Sequence, residues 1–350
     1  MKAVIQKSTA SGFAAAPPSK SVLHRMLICA ALSKGKSVIK NAYYSEDILA
    51  TLDCLEAMGA KIEKHETSVT VMGFSPFDIP ENAVLPCRES GSTLRFLIPI
   101  ALLSGKRVVF TGSEKLLTRP LSVYEAICKE QGIDFKKEKT GLSVCGKLKK
   151  GDFSVPGNIS SQFVTGLLFA LPFLGGAKIK LTTAPESRSY IDITLSVMKK
   201  FGVSATWQNA GTLYCGFGET FEARQVAAES DCSSAAFLSA FNLLGGSVAV
   251  LGIEKDTLQG DRVYEEYFKE LENGNPVLDV ADCPDLAPIL MTLAAFKNGA
   301  VLKNTARLKM KESDRGAAMK EELSAFGADI DVFENEIVVK KALLHAPERV

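Results

Sequence analysis

The chain has 350 residues, 46% apolar and 23% charged, with 41 basic and 40 acidic side chains and a formal net charge of +1. That balance fits a globular protein of one or two domains with packed cores, and it leaves no global field to draw nucleic acid or a membrane surface. Any anion site must therefore be a local cluster of cations. Only His24, His65 and His345 offer imidazole, and the eight cysteines form no Cys-x-x-Cys pair, so reduced thiols are expected rather than a zinc site. The start, MKAVIQKSTASG, has no apolar signal core, and no apolar run approaches the roughly 20 residues of a membrane span, so a cytoplasmic protein is expected.

One pattern recurs along the chain: a polar helix start, an apolar helix, one or two glycines and a short β-run. Its copies are SKSVLHRMLICAALSKGKSVI, SGSTLRFLIPIALLSGKRVVF, SSQFVTGLLFALPFLGGAKIKL, DCSSAAFLSAFNLLGGSVAVLGI and DLAPILMTLAAFKNGAVLK. Gly35, Gly105, Gly176 and Gly246 are spaced 70, 71 and 70 residues apart, and Gly299 follows after 53. Each is expected to stop its helix as a left-handed residue. A second helix follows in most copies, then a strand pair. The unit thus reads βαβαββ in cyclic order, with the fourth copy contracted. The apolar helices are hydrophobic nearly all round and should be buried on every side, with the sheets outside them. Three full copies precede residue ~228, which suggests two lobes with a cleft between them.

The copies differ mainly in the polar residues that open each helix. In the first, Lys20, Ser21 and Arg25 lie in PPSKSVLHR. Pro17 and Pro18 bar an earlier helix, Ser19 or Ser21 can cap it, and the open helix start with two cations suits a phosphate or carboxylate. An ordinary capped helix with solvated basics is the alternative. The second copy opens Glu89-Ser90-Gly91-Ser92-Thr93, where Gly91 lets an anion approach the backbone; no Gly-Lys-Ser/Thr follows, so it is not a Walker loop. Arg119 precedes Pro120 in LLTRPLSVYEAI and should be held at a helix N-terminus, unless it is a plain surface arginine. Ser160, Ser161 and Gln162 open the third copy as donors or as simple caps, and Ser187 and Tyr190 open its second helix. Asp285, in CPDLAPILMTLAA, stands at the head of an apolar helix, either as a cap or as a base. Lys311, Glu312 and Arg315, in KMKESDRGAAM, read as a charged surface turn or as an anion clamp around a carboxylic acid. Ser313 or Asp314 can cap the helix that follows.

In this order PPSKSVLHR, GSTLR, LTRP, SSQF, PES-x-SYID, CPDL and K-x-KESDR resemble the successive signatures of the EPSP synthase family of enolpyruvyl transferases, from about residue 4 to the end. The resemblance implies an α/β fold of two lobes, each a pseudo-threefold arrangement of βαβαββ units: residues 19–227 form one, and 1–18 with 228–350 the other. It implies transfer of the enolpyruvyl group of phosphoenolpyruvate to the 5-hydroxyl of shikimate 3-phosphate, with no metal or organic cofactor. Lys20, Ser21, Arg25, Ser160, Ser161, Gln162, Ser187, Asp285 and Lys311 would hold shikimate 3-phosphate. Lys20, Gly91, Arg119, Gln162 and Arg315 would face phosphoenolpyruvate. Asp285, Lys311 and Glu312 would move the protons. The implied partners are these two small molecules alone, with no nucleic acid or membrane, and a monomer is the default.

The chain departs from the family pattern at Glu89 and Arg307, each of which stands where an Asn is usual. It also stops at LLHAPERV, before an Asp-His-Arg helix start and a later Lys that the family uses for phosphoenolpyruvate. A sixth repeat is due about 70 residues past Gly299, so the expectation is a C-terminally incomplete second lobe. Two alternatives follow: a phosphoshikimate-binding fragment without turnover, and the sister transferase acting on UDP-N-acetylglucosamine.

Overall fold

The computed structural model describes residues 8–311 and 313–347. Strand β1 (Ser11–Ala15) precedes α1 (Lys20–Leu32), β2 (Lys36–Lys40), α2 (Glu46–Ala57), β3 (Lys61–Lys64) and β4 (Ser68–Met72). The second copy is β5 (Ala83–Pro86), α3 (Gly91–Ala101), β6 (Val108–Thr111), a short α4 (Glu114–Thr118), α5 (Ser122–Gln131), β7 (Asp134–Lys137) and β8 (Gly141–Cys145). The third is β9 (Phe153–Val155), α6 (Ser161–Ala170), β10 (Ala177–Leu181), α7 (Arg188–Lys200), β11 (Ala205–Asn209) and β12 (Thr212–Cys215). Then come β13 (Gln225–Ala227), α8 (Cys232–Leu243), β14 (Ser247–Leu251) and α9 (Tyr264–Asn273). The last copy is β15 (Val277–Asp279), α10 (Ala287–Phe296), β16 (Gly299–Lys303), α11 (Arg315–Ala325), β17 (Asp329–Val332) and β18 (Glu336–Lys340).

The repeat is plain in the strand orders. Four sheets share one plan, β13-β2-β4-β3, β5-β6-β8-β7, β9-β10-β12-β11 and β15-β16-β18-β17: one parallel pair, then two antiparallel pairings. The fourth copy contributes only the two-stranded pair β1–β14. The strand before α1 thus pairs with β14, and the strand before α8 pairs with β2. Strand β10 shows why each sheet has an inner face: Ala177, Ile179 and Leu181 are buried while Lys178 and Lys180 are exposed, a period of two.

Two compact units result. One is Pro18–Glu229; the other joins the stretch ending at Pro17 to that beginning at Ser230. In the first, α1, α3 and α6 are buried almost end to end, as their all-round apolarity predicts. Helices α3 and α6 pack closely because position 166 is glycine: a Cβ there would lie 2.5 Å from Arg95 O and 2.3 Å from the Tyr124 hydroxyl. That hydroxyl donates to Arg95 O at 2.8 Å and Phe163 O at 3.1 Å, fixing the two helices in register. In the second unit α10 is the central helix, packed on α8, α9, α11, β16 and β18.

Two expectations need correction. Helix α8 is not buried on every side: Phe237 is 46% and Phe241 49% exposed. Its copy has only the two-stranded β1–β14 sheet, so fewer elements cover it. The left-handed residue of that copy is Gly245 (φ 89°) rather than Gly246, and Gly35 and Gly105 lie past the cap residues Ser33 and Leu102, leading into the strands, rather than ending the helices.

Phe169 is fully buried, with its ring edge-on to Phe96 at 5.8 Å. Phe169→Ala should lower unfolding free energy by about 3–5 kcal/mol, read from the midpoint of urea denaturation.

Candidate functional site

Helix α1 begins without a side-chain cap. Ser19 occupies the cap position, but its hydroxyl is enclosed and has no hydrogen-bond partner. The expected capping by Ser19 or Ser21 is therefore absent, and the positive end of the helix dipole stays available to an anion. Lys20 reaches Asp47, at the start of α2, at 2.7 Å. One turn on, Arg25 is 2% exposed. Its Nε donates to Thr194 Oγ1 at 2.8 Å, Nη1 to Ser21 O at 2.7 Å and Nη2 to Tyr190 O at 3.0 Å. The guanidinium lies over the Phe96 ring, 5.1 Å from its centre. Burial pulls its pKa down to about 10, so it remains charged at neutral pH, and no carboxylate among the described residues pairs with it. A buried cation held only by neutral acceptors has uncompensated charge to offer an anion.

At the start of α3, Ser90 caps Thr93 N at 3.2 Å. Gly91 follows, and a Cβ there would come 2.6 Å from Arg119 Nη1, so glycine is what admits that guanidinium. Arg119 itself caps the end of α4, two residues ahead of the α5 cap Leu121; the helix N-terminus expected at Arg119-Pro120 starts only at Ser122. Arg95, 7% exposed, donates to Gln162 Oε1 at 2.6 Å, and Gln162 Nε2 donates to Ser92 Oγ at 2.9 Å, so α6 and α3 present one continuous polar edge. Ser160 caps α6 through Gln162 N at 3.3 Å, and Ser161 is buried beside it. Ser187, 2% exposed, opens α7 in the left-handed region (φ 54°) without a side-chain cap. Arg88 (φ 52°), two residues before Ser90, shares that conformation and is held by Glu46 and by Asp53 at 2.7 Å. Strained non-glycine residues at two of these helix starts fit a site whose geometry overrides local preference.

A buried polar chain stands behind this edge. The Thr93 hydroxyl donates to Ser90 Oγ at 2.7 Å and lies 2.7 Å from Thr51 Oγ1, which lies 2.7 Å from His24 Nδ1 and 3.3 Å from Asp47 O. His24 Nε2 is enclosed without a hydrogen-bond partner. Burial, followed by the charge of Lys20, lowers the His24 pKa to about 3, so the ring is neutral.

The second unit carries the carboxylate. Asp285 sits in a 3-10 turn, Pro284–Leu286, that leads into α10. Its Oδ1 accepts from Arg315 Nη1 at 2.5 Å and lies 3.4 Å from Lys311 Nζ. Asp314, rather than Ser313, caps α11 through Ala317 N at 3.1 Å, which sets Arg315 as its first helical residue. Glu312 lies outside the described residues.

The sequence-derived candidates thus fall into two sets. Lys20, Ser21, Arg25, Gly91, Arg119, Ser160, Ser161, Gln162 and Ser187 belong to the first unit; Asp285, Lys311 and Arg315 belong to the second. Sequence reasoning missed Asp47, Arg95, Thr194 and the Tyr190 carbonyl, which hold the named residues. Arg95 had a signal, as a cation one turn into an otherwise apolar helix. The others had none, because their partners are far away in sequence.

Residues 5–348 match the family described as EPSP synthase (3-phosphoshikimate 1-carboxyvinyltransferase). The 3-phosphoshikimate 1-carboxyvinyltransferase of Clostridium kluyveri is 43% identical over 343 residues, covering 92% of this chain and 80% of that one. The enzyme of the same name from Clostridium perfringens is 38% identical over 361 residues, covering 97% and 85%. Among solved structures, the EPSP synthase of Acinetobacter baumannii superposes with a TM-score of 0.75 at 22% identity, covering 95% of this chain and 82% of that one.

If Gly91 and Arg119 face phosphoenolpyruvate, as the resemblance implies, Gly91→Ala should push Arg119 aside and weaken its binding about tenfold, with the melting temperature shifted by only a few degrees. Titration calorimetry beside a thermal melt checks both halves.

Proposed function

Because the chain belongs to the EPSP synthase family, we propose that it transfers the enolpyruvyl group of phosphoenolpyruvate to the 5-hydroxyl of shikimate 3-phosphate, releasing phosphate. The observation that carries the reading is Arg25, a buried guanidinium with only neutral acceptors. Two polyanionic substrates need such uncompensated local cations, since the net charge of +1 supplies none globally.

In this reading Lys20, Ser21, Arg25, Ser160, Ser161, Gln162 and Ser187 hold shikimate 3-phosphate, through the uncapped starts of α1 and α7 and the edge of α6. Lys20, Gly91, Arg119, Gln162 and Arg315 serve phosphoenolpyruvate. Arg315 already donates to Asp285, so the phosphoenolpyruvate anion would share that guanidinium. The reaction has two proton steps. The 5-hydroxyl oxygen bonds to the enol carbon as its proton leaves to Asp285, while Glu312, assisted by Lys311, delivers a proton to the vinyl CH2. The tetrahedral adduct then loses a proton from the new methyl group, and the C–O bond to phosphate breaks. One acid–base carboxyl serves both directions, while Asp285, oriented by Arg315 and Lys311, handles the hydroxyl. The same reading gives a cytoplasmic monomer that works without a cofactor, with Arg307 and Glu89 replacing the family's usual Asn at two positions.

The test is phosphate release that requires both substrates. Release with UDP-N-acetylglucosamine in place of shikimate 3-phosphate would overturn the substrate assignment, and shikimate 3-phosphate binding without release would make this chain a binding protein. Glu312→Gln should cut turnover at least about a hundredfold while leaving shikimate 3-phosphate affinity within about twofold; equal loss of both would remove its acid–base role. Lys20→Met should weaken both substrates, each by about tenfold or more, measured by calorimetry.

A further inference from the structure

Asp261 has no part in the chemistry above. It lies in a 3-10 turn, Gly260–Val263, and is 5% exposed. Gln259 fastens that turn to the start of α8: its Oε1 accepts from Cys232 N at 3.0 Å, and its Nε2 donates to Ser230 O at 2.7 Å. One Asp261 oxygen accepts from the Ser233 hydroxyl, whereas Oδ1 is enclosed without a hydrogen-bond partner. Burying a carboxylate with a single neutral donor is expensive.

The surroundings say what the acid is for. The turn packs on α8, on α9 and on the Pro284–Leu286 turn that carries Asp285. The polar, charged and titratable groups that act around it are Asp231 at the α8 cap, Cys232 and Ser233 of α8, Cys283 and Asp285 beside the next turn, Lys311 of the loop before α11, and Arg262, Tyr264 and Glu265 of its own segment. Burial first, and the charge of Asp285 second, push the Asp261 carboxyl up to about 7, while the Ser233 hydrogen bond and Lys311 pull the other way. Two acids thus share one lysine. Among the described residues Arg315 and Lys311 reach Asp285, with Lys311 at the longer 3.4 Å, and no cation forms an ion pair with Asp261.

We propose that Asp261 is a positioning residue for the acid–base cluster, its buried carboxyl deciding whether Lys311 rests on Asp285 or is drawn inward. While Asp261 holds its proton, Lys311 stays with Asp285 and the incoming anion. When the proton passes to solvent, a second negative charge behind Asp285 competes for Lys311 and repels the substrates. The inference rests on the proposed function, and its test separates the two.

The wild-type kcat/KM for phosphoenolpyruvate should fall about three- to tenfold through a limb near pH 7, and Asp261→Asn should lack that limb while keeping the low-pH value within about twofold. In the chain labelled with 13C at the aspartate carboxyls, the resonance missing from Asp261→Asn should titrate near 7, and at lower pH in Asp285→Asn. Should Asp261→Asn fail to fold, Ser233→Ala leaves the acid in place and should move the limb upward by about half a pH unit or more. A limb unchanged in these variants, a carboxyl titrating in the ordinary range, or one indifferent to Asp285→Asn overturns the inference. A wild-type chain that releases no phosphate overturns the proposed function instead, and the carboxyl titrations then still decide whether Asp261 and Asp285 are coupled.

Discussion

A buried positive charge with no negative partner among the described residues organises the first unit. Arg25 extends from α1 to Thr194 and Tyr190 of α7, lies over Phe96 of α3, and through Thr194 meets Thr165 of α6 at 2.9 Å. Four helices therefore depend on one guanidinium. Three of its five N–H groups are satisfied within the protein. A carboxylate in this place would neutralise the charge and make the site indifferent to anions. Neutral acceptors fix the geometry and leave the charge available, which is the pre-organisation that an anion-binding site requires.

The second unit solves the opposite problem. Asp285, the proposed base, lies beside two cations, and Arg315 and Lys311 hold it in place at the start of α10. Asp261 adds a second, buried acid whose carboxyl is pushed up by burial and by the charge of Asp285. Both units use the same device: a polar residue at the beginning of a helix that is otherwise apolar. Those starts are where backbone N–H groups lack internal partners, so they tolerate and orient charge that helix interiors reject.

Much of this architecture was legible because the repeat is local. Each apolar helix followed by glycine and a strand is written within about 25 residues, and α1, α3 and α6 are buried as their composition demands. Helix α8 shows where such reading stops. Its sequence is as apolar as its counterparts, yet Phe237 and Phe241 stand half exposed because burial depends on which elements cover a helix. The glycine at 91 was readable as a place of close approach, but not that the group approaching would be Arg119.

The amino-acid order settled the periodic α/β plan, the polar helix starts and the family, since each is encoded in short contiguous motifs. Folding settled the rest. Arg25 meets Thr194 across 169 residues, and Arg95 meets Gln162 across 67. Strand β1 pairs with β14 and β13 with β2, each within one unit yet far apart in sequence. Asp261 becomes an unusual acid only because distant segments seal it from water and bring Asp285 beside it. Burial and like-charge proximity are properties of assembled surroundings, and no local pattern of residue types contains them.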